Sequence, residues 1–433
     1  MTIVRQRQQA LRCAGRLASR LLLGLVIAMA AALGGQSQTY SVIYNFHGAG
    51  DGGNPQTGVS VDAAGNLYGT TFAGGSQNCY AGCGTVYKLT PKNGSWVLST
   101  LYAFRGGSDS AFPSSRVIFG PDGALYGTTA GGSYANCANG CGTVYRLQPP
   151  PTFCRSVTCP WTKTTLYTFP GYPDGNQPQG GDLVFDRSGN IYGTTYFGGT
   201  TSSGTVFQLT HSNGGWTESV LYNFAGLSDG KYPNGSVVFD HAGNLYGTTV
   251  AGGHALYGGF DGAGVIFELS PSGSGWVESV VYAFMDQSDG AEPMAGVTFD
   301  SAGNMYGTTY AGGGAACMYG AYNGCGTIFK NGPAIYAFPG SGYGPNGGPL
   351  APVTLDAPGN VYGTTYMHGA NNSGAIFKLS AGDYAYTSLY DFVLFTGGLN
   401  PVSNVTFDSS GNMYGTASGG GRYGPGVVWE ITP

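Results

Sequence analysis

Five aspartates recur in one short string and are the first candidates for chemistry. Asp51-Gly52-Gly53-Asn54-Pro55 sets the pattern, and Asp109 with Pro113, Asp174 with Pro178, Asp229 with Pro233 and Asp289 with Pro293 repeat it. Asn346 and Asn400 stand in related loops. Carboxylates gathered on one face would offer hard oxygen ligands to Ca²⁺, or acceptors to a hydroxyl-rich ligand. The same string is also turn chemistry, because Asp bonds its own backbone and Gly takes positive φ. Recurrence in unit after unit favours the turn, since a site is usually built by one or two divergent units.

A second string, Tyr-Gly-Thr-Thr, carries hydroxyls that suit a sugar. It sits inside strand-like runs at a regular period, where packing between neighbouring units explains it better and Gly permits close backbone approach. The unit-specific groups are fewer. Asp261, Asp286 and Glu292 are the acids a hydrolase or lyase would draw on, and His254 and Tyr257 share the long loop 251–264 with Asp261. No His-Glu-x-x-His pair is present. Ala311-Gly312-Gly313-Gly314 lacks the lysine and helix of a phosphate loop. No repeated Trp docking pattern points to a quinone-cofactor dehydrogenase. The sequence therefore assigns no catalytic residue, and no cofactor beyond the Ca²⁺ option.

Eight cysteines fall into close pairs: Cys79/Cys83, Cys137/Cys141, Cys154/Cys159 and Cys317/Cys325. No His flanks them, so local disulfides are expected rather than a zinc site.

These residues are positioned by a repeat. The string Gly-Asn-Leu-Tyr-Gly-Thr-Thr recurs with small changes, its Tyr falling at Tyr68, Tyr126, Tyr192, Tyr246, Tyr306, Tyr362 and Tyr414. Self-similarity at such a period means a solenoid, propeller or array. The fourth unit shows four strand-like runs, at 235–240, 244–249, 264–269 and 276–284. Each is rich in β-branched and aromatic residues and bounded by Gly, Asp, Ser or Pro. Asp-x-x-Gly-Asn joins the first two runs as a tight hairpin, and Asn331-Gly332 joins the last two in the fifth unit. The expected fold is all-β, a seven-bladed β-propeller of four-stranded blades. The last unit ends after its third run. The missing rim strand is found in residues 40–46, which match the fourth-run pattern, so the N-terminal strand should close the ring in the last blade.

The string Asp-Gly-x-x-Pro, then Phe-Asp-x-x-Gly-Asn-Leu-Tyr-Gly-Thr-Thr, then Gly-Thr-Val-Phe-x-Leu resembles the GloVer tandem repeat of exported bacterial proteins. The resemblance covers residues 40–433. It implies secretion and a propeller-like repeat architecture, and it carries no catalytic residues across. Two units depart from it: Phe119-Gly120-Pro121-Asp122-Gly123-Ala124 replaces the usual turn in unit two, and Gly415-Thr416-Ala417 replaces Gly-Thr-Thr in unit seven.

Residues 1–35 read as a signal peptide: five arginines, an apolar run over 21–33, then small residues. Residues 36–433 then form one propeller domain. Five of the 17 basic residues and none of the 22 acidic ones lie in that leader, which leaves 12 basic against 22 acidic residues. No basic patch remains, so nucleic acid is an unsuitable partner, and no membrane span follows the leader. The expected location is secreted or periplasmic. The expected function is a non-catalytic binding or structural module for glycans, other uncharged extracellular ligands or a protein, with sites on the Asp51, Asp109, Asp174, Asp229 and Asp289 loops. The alternative is a polysaccharide hydrolase or lyase acting at the channel mouth.

Overall fold

The structure, a computed structural model, describes residues 38–132, 137, 140–151, 160–212, 214–226, 228–254, 262–273, 275–286, 288–314, 317–319, 322–340 and 347–433. The leader 1–35, Cys154, Cys159, Tyr257, Asp261 and Asn346 lie outside them.

Each repeat opens on one carboxylate. Asp62 Oδ1 accepts from the Ala64 and Asn66 amides, and Oδ2 accepts from Asn66 Nδ2 and Tyr68 Oη at 2.8 and 3.1 Å. Gly65 completes the turn at φ 77. Asp186 and Asp408 hold their turns and tyrosines in the same way. The turn pairs a short hub strand with the Tyr-Gly-Thr strand, as in Val184↔Tyr192. The glycine of that strand faces a fully buried aromatic on the third strand: a Cβ on Gly247 would stand 2.5 Å from Phe267 Cζ. The third strand then hairpins into the rim strand, as Thr205–Ser212 does into Gly215–Asn223.

Seven antiparallel sheets of this kind form, ordered hub to rim, and three carry a fifth short strand. Those extra pieces are Ala111–Pro113, Lys231–Pro233 and Leu399–Pro401. They exist because the hub run is broken. The residue before each proline is left-handed, Phe112 at φ 61, Tyr232 at φ 62 and Asn400 at φ 56. The run expected over 235–240 keeps only Val238–Phe239 in the ladder. Its inner end bonds neighbouring blades instead: Thr194 Oγ1 donates to the Gly235 carbonyl and the Asp182 amide donates to Ser236 Oγ.

The core lies between blades. Each of seven buried clusters draws on two adjacent sheets, as where Tyr68 and Val86 meet Leu125 and Tyr145. The first threonine of Tyr-Gly-Thr-Thr latches one blade to the next. Thr70, Thr194, Thr248, Thr308, Thr364 and Thr416 donate to the carbonyls of Ser115, Gly235, Ala295, Ala351, Ser403 and Thr57. The second threonine stays within its blade, Thr71 Oγ1 meeting Thr85 Oγ1 at 2.8 Å.

The ring is closed by the first strand of the described residues. Thr39–Asn45 is the outermost strand of the seventh sheet, beside Val427–Thr432. The Phe46 amide donates to Gly426 at 3.0 Å, and the Phe46 ring is fully buried. Among the described residues no helix is long and apolar enough to cross a membrane.

Candidate functional site

The loops that lead from one rim strand to the next hub strand lie on the same face as the second-to-third loops. Backbone bonds join them: the Ala73 amide donates to Gly53, and the Gly75 amide donates to Ala49. The five predicted aspartates sit in these loops, each turned back on its own blade. Asp51 accepts from Tyr44 Oη and the His47 amide, both at 3.0 Å. Asp109 accepts from Tyr102 Oη and the Arg105 amide. Asp174, Asp229 and Asp289 accept from Tyr167, Tyr222 and Tyr282. Burial opposes the charge on Asp51, but the bonds from His47 and Tyr44 outweigh it and hold the carboxyl below its usual range. The five are not brought together. Among the described residues no three or more His, Cys, Asp or Glu side chains are placed to hold a metal.

The position three residues after each of these aspartates, and its equivalent in the other two loops, comes just before the loop proline, and Asn54 and Asn400 at this position line the central channel. It holds Asn54, Phe112, Gln177, Tyr232, Glu292, Gly348 or Asn400, and the six that are not glycine all have φ between 53 and 62. Left-handed backbone is unusual for bulky residues and is held only where the surroundings over-determine it. Here the amide bonds the preceding blade and the carbonyl bonds its own blade. The Tyr232 amide donates to Ser203, and the Tyr310 amide donates to Glu292. The side chains are thereby aimed alike while their types differ. Phe112 stacks on Phe72 at 5.0 Å, Tyr232 stacks on Tyr196 at 4.9 Å, and Asn400 Nδ2 donates to Tyr366 Oη at 3.2 Å.

Inside this belt lies a central cavity of about 710 Å³, to which all seven blades contribute. Its described wall combines amides, hydroxyls and backbone with aromatics and aliphatics, among them Asn54, Gln179, Asn234, Phe72, Tyr366 and Leu350. Arg116 and Asp182 are the only charged residues of that described wall, and they neutralise each other. Arg116 Nε and its backbone amide reach Asp182 at 2.9 and 3.0 Å. The five predicted aspartates do not line the wall.

One departure from the repeat places an acid in a loop. Four blades place a left-handed glycine four residues after the rim tyrosine: Gly48, Gly106, Gly171 and Gly226. The fourth rim strand is followed there by Asp286, at φ 74. Ser203 in blade three and Cys83 in blade one face that glycine, and the equivalent residue of this blade is Ala263. Burial and the neighbouring Asp286 charge push the Glu292 carboxyl up to about 7. Asp286 and Glu292 are two of the unit-specific acids of the sequence, and the structure brings them together. His254 ends the described part of its loop, and Tyr257 and Asp261 lie outside the described residues.

Cys79–Cys83, Cys137–Cys141 and Cys317–Cys325 are disulfides. The first two pack against Gly106 and Gly171 of the rim-to-hub loops. They staple the second-to-third loops on this face.

Sequence reasoning missed a tryptophan series. Trp96, Trp161, Trp216 and Trp276 each stand six residues before a rim tyrosine, in four consecutive blades. Trp96 meets Tyr414, Trp161 meets Tyr68 and Trp276 meets Tyr192, each across a blade seam on the opposite face. Counting back from the rim tyrosine exposes the series, whereas counting from one Trp to the next hides it under uneven spacing.

The Gloeobacter/Verrucomicrobia repeat matches residues 24–160, 152–334 and 255–433. A solved polysaccharide lyase, an ulvan lyase bound to a GlcA–Rha3S saccharide, matches at 10% identity and TM-score 0.50, covering 88% of this chain and 94% of that one. A gluconolactonase from Xanthomonas campestris matches at 11% identity and TM-score 0.42, covering 92% and 89%. PorZ, a surface component of the type-IX secretion system of Porphyromonas gingivalis, matches at 14% and 0.47, covering 86% of this chain and 46% of that one. At 10% identity the lyase match speaks to the fold alone. No curated protein sequence matches the chain.

Proposed function

The chain belongs to the Gloeobacter/Verrucomicrobia repeat family, and from that premise we propose that it is a non-catalytic extracellular propeller that binds uncharged, hydroxyl-rich glycans at the mouth of its central channel. The composition of the channel wall carries this reading. Amides and hydroxyls offer paired donors and acceptors, aromatics offer faces for sugar rings, and the single ion pair is satisfied within the wall. Rigid blades hold the variable residues before the loop prolines in one backbone geometry, which is how scaffolds present recognition loops. Three disulfides suit an oxidising compartment.

The test is a glycan array probed with the 36–433 chain, with and without Ca²⁺. Neutral glycans should be retained, and replacing Phe72 and Tyr366 together by Ala should weaken retention about tenfold or more. Asp229→Asn with Asp289→Asn should leave it unchanged, because those carboxylates hold turns. Failure to retain any neutral glycan would sink the reading. Dependence on Ca²⁺ would give the loop carboxylates a direct role instead.

The Asp286–Glu292 pair favours a second reading, a glycan hydrolase or lyase. A carboxyl pushed up to about 7 beside a second acid can hold a proton at neutral pH and donate it to a leaving group. New reducing ends or unsaturated products, lost in Glu292→Gln, would establish it. Their absence over a panel of extracellular polysaccharides would leave binding as the activity.

A further inference from the structure

A second cavity, about 670 Å³, opens on the opposite face between the third and fourth blades. Three aromatics form its apolar side. Tyr192 meets Phe239 edge-on at 5.1 Å and Trp276 at 6.3 Å, and Trp276 is half-buried with part of its ring open to solvent. The two hub turns form its other side. Their first turn position after the aspartate is filled by Arg187 in one blade and His241 in the next. The other blades with this turn use Ala63, Ser301, Ala357 or Ser409 there. The two basic side chains are therefore a local departure from the repeat, and both border one cleft.

Neither Arg187 nor His241 has an ion-pair partner among the described residues, and both are exposed. The carboxylates at the cleft are already engaged. Asp186 accepts from the Ser188 and Asn190 amides, Asn190 Nδ2 and Tyr192 Oη. Asp240 accepts from the Ala242 and Asn244 amides and Asn244 Nδ2. The cleft thus offers an aromatic platform and two basic side chains outside any ion pair, in a chain that is otherwise acidic. A guanidinium beside an aromatic face matches a sugar ring that carries a carboxylate or sulfate: the ring stacks while the anion takes charge-assisted hydrogen bonds.

We infer that the cleft bounded by Arg187, His241, Tyr192, Phe239 and Trp276 is a binding site for anionic saccharides, separate from the channel mouth. Binding should have a salt-sensitive ionic component and a salt-insensitive stacking component. The neighbouring seams share the tryptophan without the paired basic residues, so they would contribute contact area and not charge selection.

The test uses the 36–433 chain and two matched probe pairs that differ only in charge: oligogalacturonate against its methyl ester, and dextran sulfate against dextran. Calorimetry measures affinity, and tryptophan fluorescence reports stacking. One charged probe should bind about tenfold or more tighter than its neutral counterpart. That margin should fall as salt rises, and the preferred pair identifies carboxylate or sulfate as the anion. Arg187→Ser installs the residue found in two other turns, so the fold is preserved. It should cost most of the charged-probe margin, and Trp276→Ala should abolish binding. Phe72→Ala, in the channel wall, should change nothing here, which separates this site from the neutral-glycan site at the channel mouth. Equal affinity for charged and neutral probes, or full charged-probe affinity in Arg187→Ser, would overturn the inference.

Discussion

At the hub, six blade seams close with the same bond, a threonine hydroxyl to the next blade's carbonyl. At the rim, the equivalent seam contact is made four residues before each rim tyrosine, and its chemistry changes around the ring. Leu98 packs in the cluster that holds Tyr44. Lys163 reaches Asp109. Glu218 and Glu278 face Asp174 and Asp229. Gly332 lies against the Tyr282 ring, while Tyr386 and Tyr40 stack on Tyr336 and Tyr390. The hub bond joins buried groups, and all seven Tyr-Gly-Thr strands place threonine there. The rim contact borders solvent, so polar, charged and apolar occupants all survive. Uniformity at the centre specifies the ring, and freedom at the rim and in the loops lets single seams acquire individual properties.

The sharpest way to break this contrast is to remove a rim strand. If the rim were only decoration, deleting residues 36–47 would cost little. It should instead cost several kcal/mol, because it strips Phe46 and the Tyr40–Tyr390 stack from their clusters and leaves an open edge. An unchanged melting temperature would show that the ring holds without its closing strand. Next in size is the hub itself. Gly247→Ala puts a methyl 2.5 Å from Phe267 Cζ, and overpacking of this kind costs roughly 1–3 kcal/mol. Urea midpoints indistinguishable from the parent would mean the hub is looser than its uniformity implies.

A smaller effect, of opposite sign, tests a hub exception. Four blades bury a phenylalanine opposite the Tyr-Gly-Thr glycine, but blades one and two bury Tyr87 and Tyr145 with no hydrogen-bond partner for the hydroxyl among the described residues. Tyr87→Phe should therefore stabilise the protein by about 1 kcal/mol. A loss of stability on calorimetry would mean that the hydroxyl has a partner, such as an internal water.

The last prediction belongs to the rim alone. Burial, with the charge of Asp174, pushes Glu218 up to about 8, and burial, with the charge of Asp229, pushes Glu278 up to about 7. Both lie above the free side-chain value of 4.5, so the folded state binds more protons between these limits. The stability these two groups contribute should be fully present below about 4.5 and be lost as pH rises toward about 8. Glu218→Gln should flatten that slope modestly, since the site is partly open to water. Parallel melting-temperature profiles for parent and variant would assign the slope elsewhere.

The hub was legible in the sequence because its demands are strict. Asp62, Gly65, Asn66, Tyr68 and Gly69 each answer one geometric need, so the string recurs with little change. Strand counting placed the closing strand, and close spacing marked Cys79 with Cys83. The belt before the loop prolines was not legible. Asn, Phe, Gln, Tyr and Glu share one left-handed backbone there, and that conformation is imposed by bonds from two blades rather than by residue type. The rim slot was hidden for the opposite reason, since so many residue types satisfy it. The aspartate ring was visible, but its partners, the rim tyrosines seven residues upstream, read only as strand residues.

Ring closure also has a temporal side. Thr39–Asn45 is made before the first six blades, yet it bonds Val427–Thr432, which is made after them. Thr416 to Thr57 and Thr406 to Val59 span 359 and 347 positions of chain, so the final seam is among the least local contacts in the molecule. Such contacts bear the full loss of chain freedom before any reward, and they form slowly. Blades one to six can assemble as a nascent arc while the first strand waits unpaired. Pulse-labelled hydrogen exchange should find the Val428 amide protected after its counterparts Val206 and Ile266; simultaneous protection would mean that the arc and the seam form in one step.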